Sequence, residues 1–240
     1  MTQLFISDLH LSQGQPGLTG LFLDFLHSTT QGAERLYILG DLFDAWIGDD
    51  ALDDCAQTVI QALISLGKSS CQIFIQGGNR DFLLGHHFAK ACRASLLGDT
   101  EVIDLLGKRC LLMHGDLLCS DDRDYQNARV ILRNPAFMAD FLAKPIPERL
   151  ALAKGYRQQS LDAISGKASE IMDVTELTVL EYLDRFQAEL LIHGHTHRPG
   201  VSTLPPNGQR QRYCLGDWGP SGTRYLHASP EQGLRLLAFP

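Results

Sequence analysis

No stretch of this 240-residue chain is apolar for long enough to cross a bilayer, and its first residues, MTQLFISDLHLS, lack the basic patch and apolar core of an export signal. Those absences argue against a helical membrane protein and predict a chain that stays in the cytoplasm. CxxC spacing is missing as well. The six cysteines (Cys55, Cys71, Cys92, Cys110, Cys119, Cys214) are too scattered for a disulfide framework and are expected to be reduced residues in or near the core. Positive charge is in short supply: the net charge of −7 speaks against a broad nucleic-acid surface, and no nucleic-acid partner is expected. Acidity of the whole does not exclude an anionic substrate, because a bound cation reverses the sign locally. There is no low-complexity segment. What remains, 44% hydrophobic and 20% charged, is an ordinary globular composition, long enough for one large domain with a substantial core.

Short β-type runs recur along the chain, and the residues that follow them are unusual. LFIS leads into Asp8 and His10; LYIL into Gly40, Asp41 and Asp44; CQIFIQ into GGNRD; CLLM into His114, Gly115 and Asp116; ELLI into HGHTH. Helix-compatible segments, Leu18 to His27, Ala51 to Leu66 and Leu83 to Ala91, separate the early runs, which predicts βαβ units and a largely parallel sheet. Such sheets gather functional groups at the carboxyl ends of their strands. Beyond the fifth run, RQRYCLGDW, TRYLHAS and LRLLAFP read as short antiparallel strands that complete a second sheet. The connection from the fourth run to the fifth far exceeds what a crossover needs. Thr175 to Gln187 fits the crossover helix, with Asp173 or Thr175 near its start, and residues 121–170 read as an inserted helical cap broken near Pro135 and near Pro145 and Pro147.

Each polar residue has an ordinary role beside a chemical one. Asp8 and His10 are two apart, so a strand continuing through them turns both to one face, where they can reach the same ion. Asp41 can bridge two ions or merely fix a turn. Asn79 can be an amide ligand or an Asx turn, and His114 a ligand or a satisfied near-core histidine. His193, His195 and His197 alternate with Gly194 and Thr196, so an extended chain points all three the same way. The ordinary roles fail jointly: D-x-H, GD, GN, H and GHxH fall in order at successive strand ends. Mixed carboxylate, amide and imidazole donors suit borderline first-row divalent ions.

That order resembles the calcineurin-like metallophosphoesterases, carried here by DLH at 8–10, GDLFD at 40–44, GNRD at 78–81, MHGD at 113–116 and HGHTH at 193–197. The resemblance implies an α/β fold with a two-sheet β-sandwich core flanked by helices (α/β/β/α), formed as one domain over residues 1–240 with the helical cap between its fourth and fifth core strands. It also implies two divalent metal ions: Asp8, His10 and His197 hold one, Asn79, His114 and His195 the other, and Asp41 bridges them. His193 belongs to neither set. Within the superfamily, FISDLHL, LYILGDLFDAWIGDD, GNRDFLLG, HGDLLCSDD, SEIMDV and LLIHGHTHRP are similar to the UDP-2,3-diacylglucosamine hydrolases of bacterial lipid A biosynthesis. This implies cleavage of the substrate pyrophosphate to UMP and 2,3-diacylglucosamine 1-phosphate, with Mn2+ as the metal. It further implies catalytic roles for Asn79, Arg80 and His195, and substrate contacts from Asn79, Arg80, Asp122, Ser160, Ile164, Lys167 and His195, with Tyr125 and Arg157 close by. The sequence departs from the family pattern at Gly77, where histidine is frequent, and at Ile164, where a polar residue is frequent.

Arg80 bears on the reaction independently. A guanidinium stays protonated at ordinary pH and cannot serve as the acid for an alkoxide leaving group, so it fits a reaction that expels an anion, as pyrophosphate cleavage does. A salt bridge to Asp81 is the plain alternative. Other readings on the same scaffold are a phosphoesterase for nucleotides, phosphoproteins or cyclic nucleotides, and a non-catalytic metal-binding protein, although no ligand position is eroded. The cap interleaves apolar residues with Arg129, Arg133, Lys144, Arg149, Lys154, Arg157 and Lys167. It is expected to hold acyl chains beside the metals and to turn a basic rim toward anionic lipid, which implies peripheral contact with the cytoplasmic face of the inner membrane. No obligate protein partner is implied.

Overall fold

A computed structural model describes residues 1–164, 171–206, 208–219 and 222–240, with 161–164 described by their backbone only. The apolar runs form two packed sheets. The first has the order β11 (Gly233–Phe239), β10 (Thr223–Ser229), β1 (Gln3–Ile6), β2 (Arg35–Leu39), β3 (Gln72–Gln76), β4 (Ala94–Leu97). Strands β1 to β4 run parallel, and β10 and β11 add antiparallel to the free edge of β1. The second has the order β5 (Thr100–Leu105), β6 (Lys108–Met113), β7 (Leu190–His193), β9 (Arg210–Cys214), β8 (Gly200–Leu204), with β6, β7 and β9 parallel.

Strand periodicity divides the core into layers. Phe5, Tyr37, Leu112 and Ile192 point between the sheets, where Phe5 stacks on Tyr37 and Tyr37 on Phe74, each with centroids 4.8 Å apart. Leu4, Ile6, Leu36 and Ile38 point the other way, onto α1 (Pro16–Ser28), α2 (Asp54–Gly67) and α3 (His86–Cys92). Leu111, Met113 and Leu191 on the outer face of the second sheet pack on Val179 and Leu183 of α7 (Glu176–Phe186). Strands buried on both faces explain the unbroken apolar runs, and each such side chain contributes about 1.5–3 kcal/mol. All six cysteines are free and buried.

The C-terminal expectation needs correction: β9 joins the second sheet, but β10 and β11 return to the first, because β1 offers an unpaired edge. Strands β4, β5 and β8 went unrecognised; their side chains are mostly half-exposed, which blurs the apolar signal. Between β6 and β7 lie α4 (Arg123–Leu132), α5 (Pro135–Ala143), α6 (Ile146–Ile164) and then α7. Pro135 occupies the first turn of α5 and Pro147 that of α6, where the missing N–H costs nothing.

Candidate active site

The strands stop short of the polar residues. β1 ends at Ile6 and β7 at His193, and Asp8 (φ 55°), His10 (50°), Asp41 (53°), His195 (68°) and His197 (54°) all take left-handed backbone. Each such residue costs of order 1–3 kcal/mol, and their concentration here marks a site held by its surroundings. The side chains therefore converge through tight turns, correcting the strand-alternation account of Asp8 with His10 and of the three histidines. The turns are bonded to one another: Asp8 N donates to Gly40 O (3.1 Å), His10 N to Asp41 O (3.0 Å), Gly194 N to His114 O (2.8 Å) and Trp218 N to Asp8 O (3.0 Å).

The side-chain donors of Asp8, His10 and His197 lie within 4.8 Å of one another, as do those of Asp8, Asp41 and His114. His10 Nε2 is 3.2 Å from His197 Nε2, and His197 Nε2 is 3.6 Å from Asp8 Oδ1. Asp41 turns one oxygen toward each side, Oδ2 3.8 Å from His10 Nδ1 and Oδ1 3.8 Å from His114 Nε2. Asn79 Oδ1 sits between His114 Nε2 (2.9 Å) and His195 Nδ1 (2.8 Å). His114 Nδ1 lies 2.9 Å from Leu39 O, so it carries the proton and its Nε2 lone pair faces the Asn79 oxygen. Two acceptors then confront each other, an arrangement that a cation or a second proton reconciles. His10 Nδ1 is buried without a hydrogen-bond partner. The donors thus fit borderline divalent cations.

Electrostatics agree. Burial pushes Asp41 up to about 7 against the pull of His114, with Asp81 and Asp8 adding to the rise. Asp8 resists its burial and is held well below the carboxylate range by a hydrogen bond from His197 and the charge of His114. Burial lowers His10 and His195 to about 4. His114 rises despite burial because of Asp41 and Asp8, and His197 rises despite burial because of Asp8.

Surrounding groups fix these donors. Ser7 Oγ donates to Asp8 Oδ2 (2.5 Å) and His195 N to the same oxygen (2.9 Å). Asp81 is fully buried and accepts from the backbone N–H of Gly78 (2.7 Å), Asp41 (3.1 Å) and Phe43 (3.2 Å), so the alternative salt bridge with Arg80 does not form. Arg80 instead donates its backbone N–H to Asp41 Oδ1 (2.8 Å). Its half-buried guanidinium has no hydrogen bond or ion pair among the described residues and lies near enough to His10 to influence its charge. His193 belongs to neither donor group; it is fully buried with Nδ1 2.8 Å from Gly194 O. Sequence reasoning gave no role to Ser7 or Asp217, and noted Asp116 only as a polar residue of the MHGD turn. Asp217 lies 3.6 Å from His197 Nδ1, and its only signal was the Gly-Asp turn after β9.

The remaining expected contacts lie farther out. Asp122 accepts from Tyr125 N (3.1 Å) and caps α4; Tyr125 donates Oη–H to Asp116 Oδ2 (2.8 Å) and sets its ring 5.8 Å from that of His195. Arg157 pairs with Asp44, and Ser160 is exposed on α6. The Ile164 side chain and Lys167 lie outside the described residues. Several cations of the expected basic rim are ion-paired: Arg129 and Arg133 with Asp99 and Asp116, Arg149 with Asp50, Arg157 with Asp44, and Lys144 with Glu148, so they fasten the helices.

Residues 1–199 match the calcineurin-like phosphoesterase family. The chain belongs to that family. Membership implies divalent metal ions, consistent with the converging donors. Among calcineurin-like phosphoesterases, the chain is 49% identical over 240 residues to a UDP-2,3-diacylglucosamine hydrolase of Chromohalobacter salexigens, covering 100% of this chain and 98% of the relative. It is 45% identical to one of Marinobacter nauticus, again over 100% and 98%. A solved archaeal phosphodiesterase shares the fold with a TM-score of 0.52 at 10% identity, covering all of both chains.

Proposed function

We propose that this protein hydrolyses the pyrophosphate of UDP-2,3-diacylglucosamine to UMP and 2,3-diacylglucosamine 1-phosphate in lipid A biosynthesis. The observation that carries the reading is identity of 45–49% over the full chain, helices α4 to α6 included, to relatives with that activity. Asp8, His10 and His197 are proposed to hold one cation and Asn79, His114 and His195 the other. Asp41, with an oxygen turned to each side, is proposed as the bridge. Mn2+ is the proposed metal on the resemblance to the UDP-2,3-diacylglucosamine hydrolases; the donors themselves suit borderline first-row divalent ions in general. Two such ions supply Lewis acidity toward phosphoryl oxygens and bring a water's acidity near neutral.

The chain's own groups do the rest. A water oxygen bonds to one phosphorus, opposite the bridging oxygen, as that P–O bond breaks; the other phosphate departs as an anion and the water's proton passes to solvent. The unpaired Arg80 guanidinium balances the departing charge and transfers no proton. His195, held neutral by burial, keeps a lone pair for a cation and does not compete as an acid near pH 7. The cap is proposed to shelter the acyl chains. No helix among the described residues is long and apolar enough to cross a membrane. Contact with the cytoplasmic leaflet would be peripheral, through apolar side chains such as Val130 (73% exposed) and Ile131 (60%) on α4.

The test compares UDP-2,3-diacylglucosamine with an aryl phosphodiester, in parent and Arg80→Ala at saturating Mn2+. The parent should favour the nucleotide lipid. The variant should lose about 10²–10³-fold in kcat while keeping its metals. Equal activity in parent and variant would reduce Arg80 to a structural residue, and failure of the parent on the lipid would overturn the substrate.

A further inference from the structure

Asp116 has no part in the chemistry above, yet it is a carboxylate with only 3% exposure. It accepts from Arg129 Nε (2.7 Å) and Tyr125 Oη (2.8 Å), and Arg133 Nη2 lies 3.7 Å away. The same two arginines, one helical turn apart, close on Asp99 in the turn between β4 and β5. Arg129 Nη2 reaches Oδ2 and Arg133 Nη1 reaches Oδ1, at 2.7 and 2.8 Å. Arg133 Nη2 also donates to Gly78 O at 3.0 Å, immediately before Asn79, and its guanidinium lies 5.4 Å over the Phe82 ring. One network thus touches α4, the β4–β5 turn, the Gly78–Asn79 loop and, through the Tyr125 ring, His195.

Stability alone is a poor account of such a network, because apolar residues of similar volume stabilise a fold at least as well as buried ion pairs do. Geometry is a better one: a carboxylate and two forked guanidiniums fix both distance and direction. We infer that Asp116, Arg129, Arg133 and Asp99 are positioning residues that register helix α4 against the loops carrying Asn79 and His195. The groups α4 holds beside the metal donors then meet a long substrate in one fixed arrangement. The inference rests on the proposed substrate only for its size: a molecule spanning cap and metals needs the register, whereas a small phosphodiester does not.

The experiment replaces Arg129 by Met and by Lys in the full chain. Arg129→Met should raise KM for UDP-2,3-diacylglucosamine at least about tenfold, with turnover of bis(p-nitrophenyl) phosphate within about twofold of the parent. Metal content should be unchanged, and Arg129→Lys should recover part of the loss. Amide hydrogen exchange over residues 123–132 should quicken in Arg129→Met. If that variant fails to fold, Asp99→Asn at the exposed end of the network should give a smaller effect in the same direction. Equal loss on both substrates, or unchanged KM with unchanged exchange, overturns the inference. If the parent itself does not cleave the nucleotide lipid, the functional reading falls, and hydrogen exchange in α4 still decides the network: quickened exchange supports it and unchanged exchange overturns it.

Discussion

At Gly78 a Cβ would stand 2.1 Å from Asp41 Oδ1 and 2.5 Å from Asp41 N, and at Gly194 a Cβ would stand 2.1 Å from Asp8 Oδ2. Neither position has room for a methyl group. The glycines of GN and GH therefore belong to the donor geometry as much as the residues after them. Gly78→Ala is expected to push Asp41 aside and weaken metal binding by about 10²-fold, the scale of losing an orienting contact, in a metal titration of the folded variant. Acid should act on the same residue. Asp41, raised to about 7, and His114 and His197, both raised above the usual imidazole value, must lose protons to bind a cation, so affinity should fall as pH drops below 7 while binding releases protons. His10 and His195, lowered to about 4, compete only near that pH. Calorimetry in buffers of different ionisation enthalpy between pH 5.5 and 8 measures the released protons, and pH-independent affinity would contradict the assignment. The sequence made these donors legible as types in order. It did not disclose how they converge, because left-handed turns at Asp8, His10, His195 and His197 leave no periodic trace.

Helices α4 to α6 were legible from prolines, and their attachment was not. Arg157 pairs with Asp44 and Arg149 with Asp50, partners remote in sequence, so the cap's cations resembled a free basic surface until the fold brought carboxylates beneath them. Arg149 is the firmest case, with 2% of its side chain exposed and Nη1 donating to both Ile47 O (2.6 Å) and Asp50 Oδ1 (2.8 Å). Gly48 admits this contact: its φ of +129° suits glycine, and a Cβ there would come 2.4 Å from Arg149 Nη1. Arg149→Met should leave Ile47 O unsatisfied and destabilise the fold by about 2 kcal/mol, read as a lower denaturation midpoint at unchanged m-value. Metal content should be retained. Loss of metal with no change in midpoint would mean that α6 acts on the donors directly.

Across the whole molecule, neither sheet owns the site: Asp8, Asp41 and Asn79 follow strands of the first, His114 and His195 strands of the second. The parallel runs that precede these residues were readable because both their faces are buried. The return of β10 and β11 to β1 was not, since a short antiparallel strand says nothing about which edge it will join. Removing residues 223–240 should uncover one edge of β1 and yield an aggregating protein by light scattering. A monodisperse truncated chain with parent stability would show that β10 is dispensable.

The bond from Trp218 N to Asp8 O has a consequence in time. During synthesis Asp8 leaves the ribosome long before the group that holds its carbonyl, and the strand that closes β1 comes later still. Most of the donors exist on the nascent chain long before their geometry does. Capture of the cation is therefore a late event of maturation, and chains stalled before residue 218 should be poor at retaining divalent metal even with every histidine of the HGHTH turn already translated.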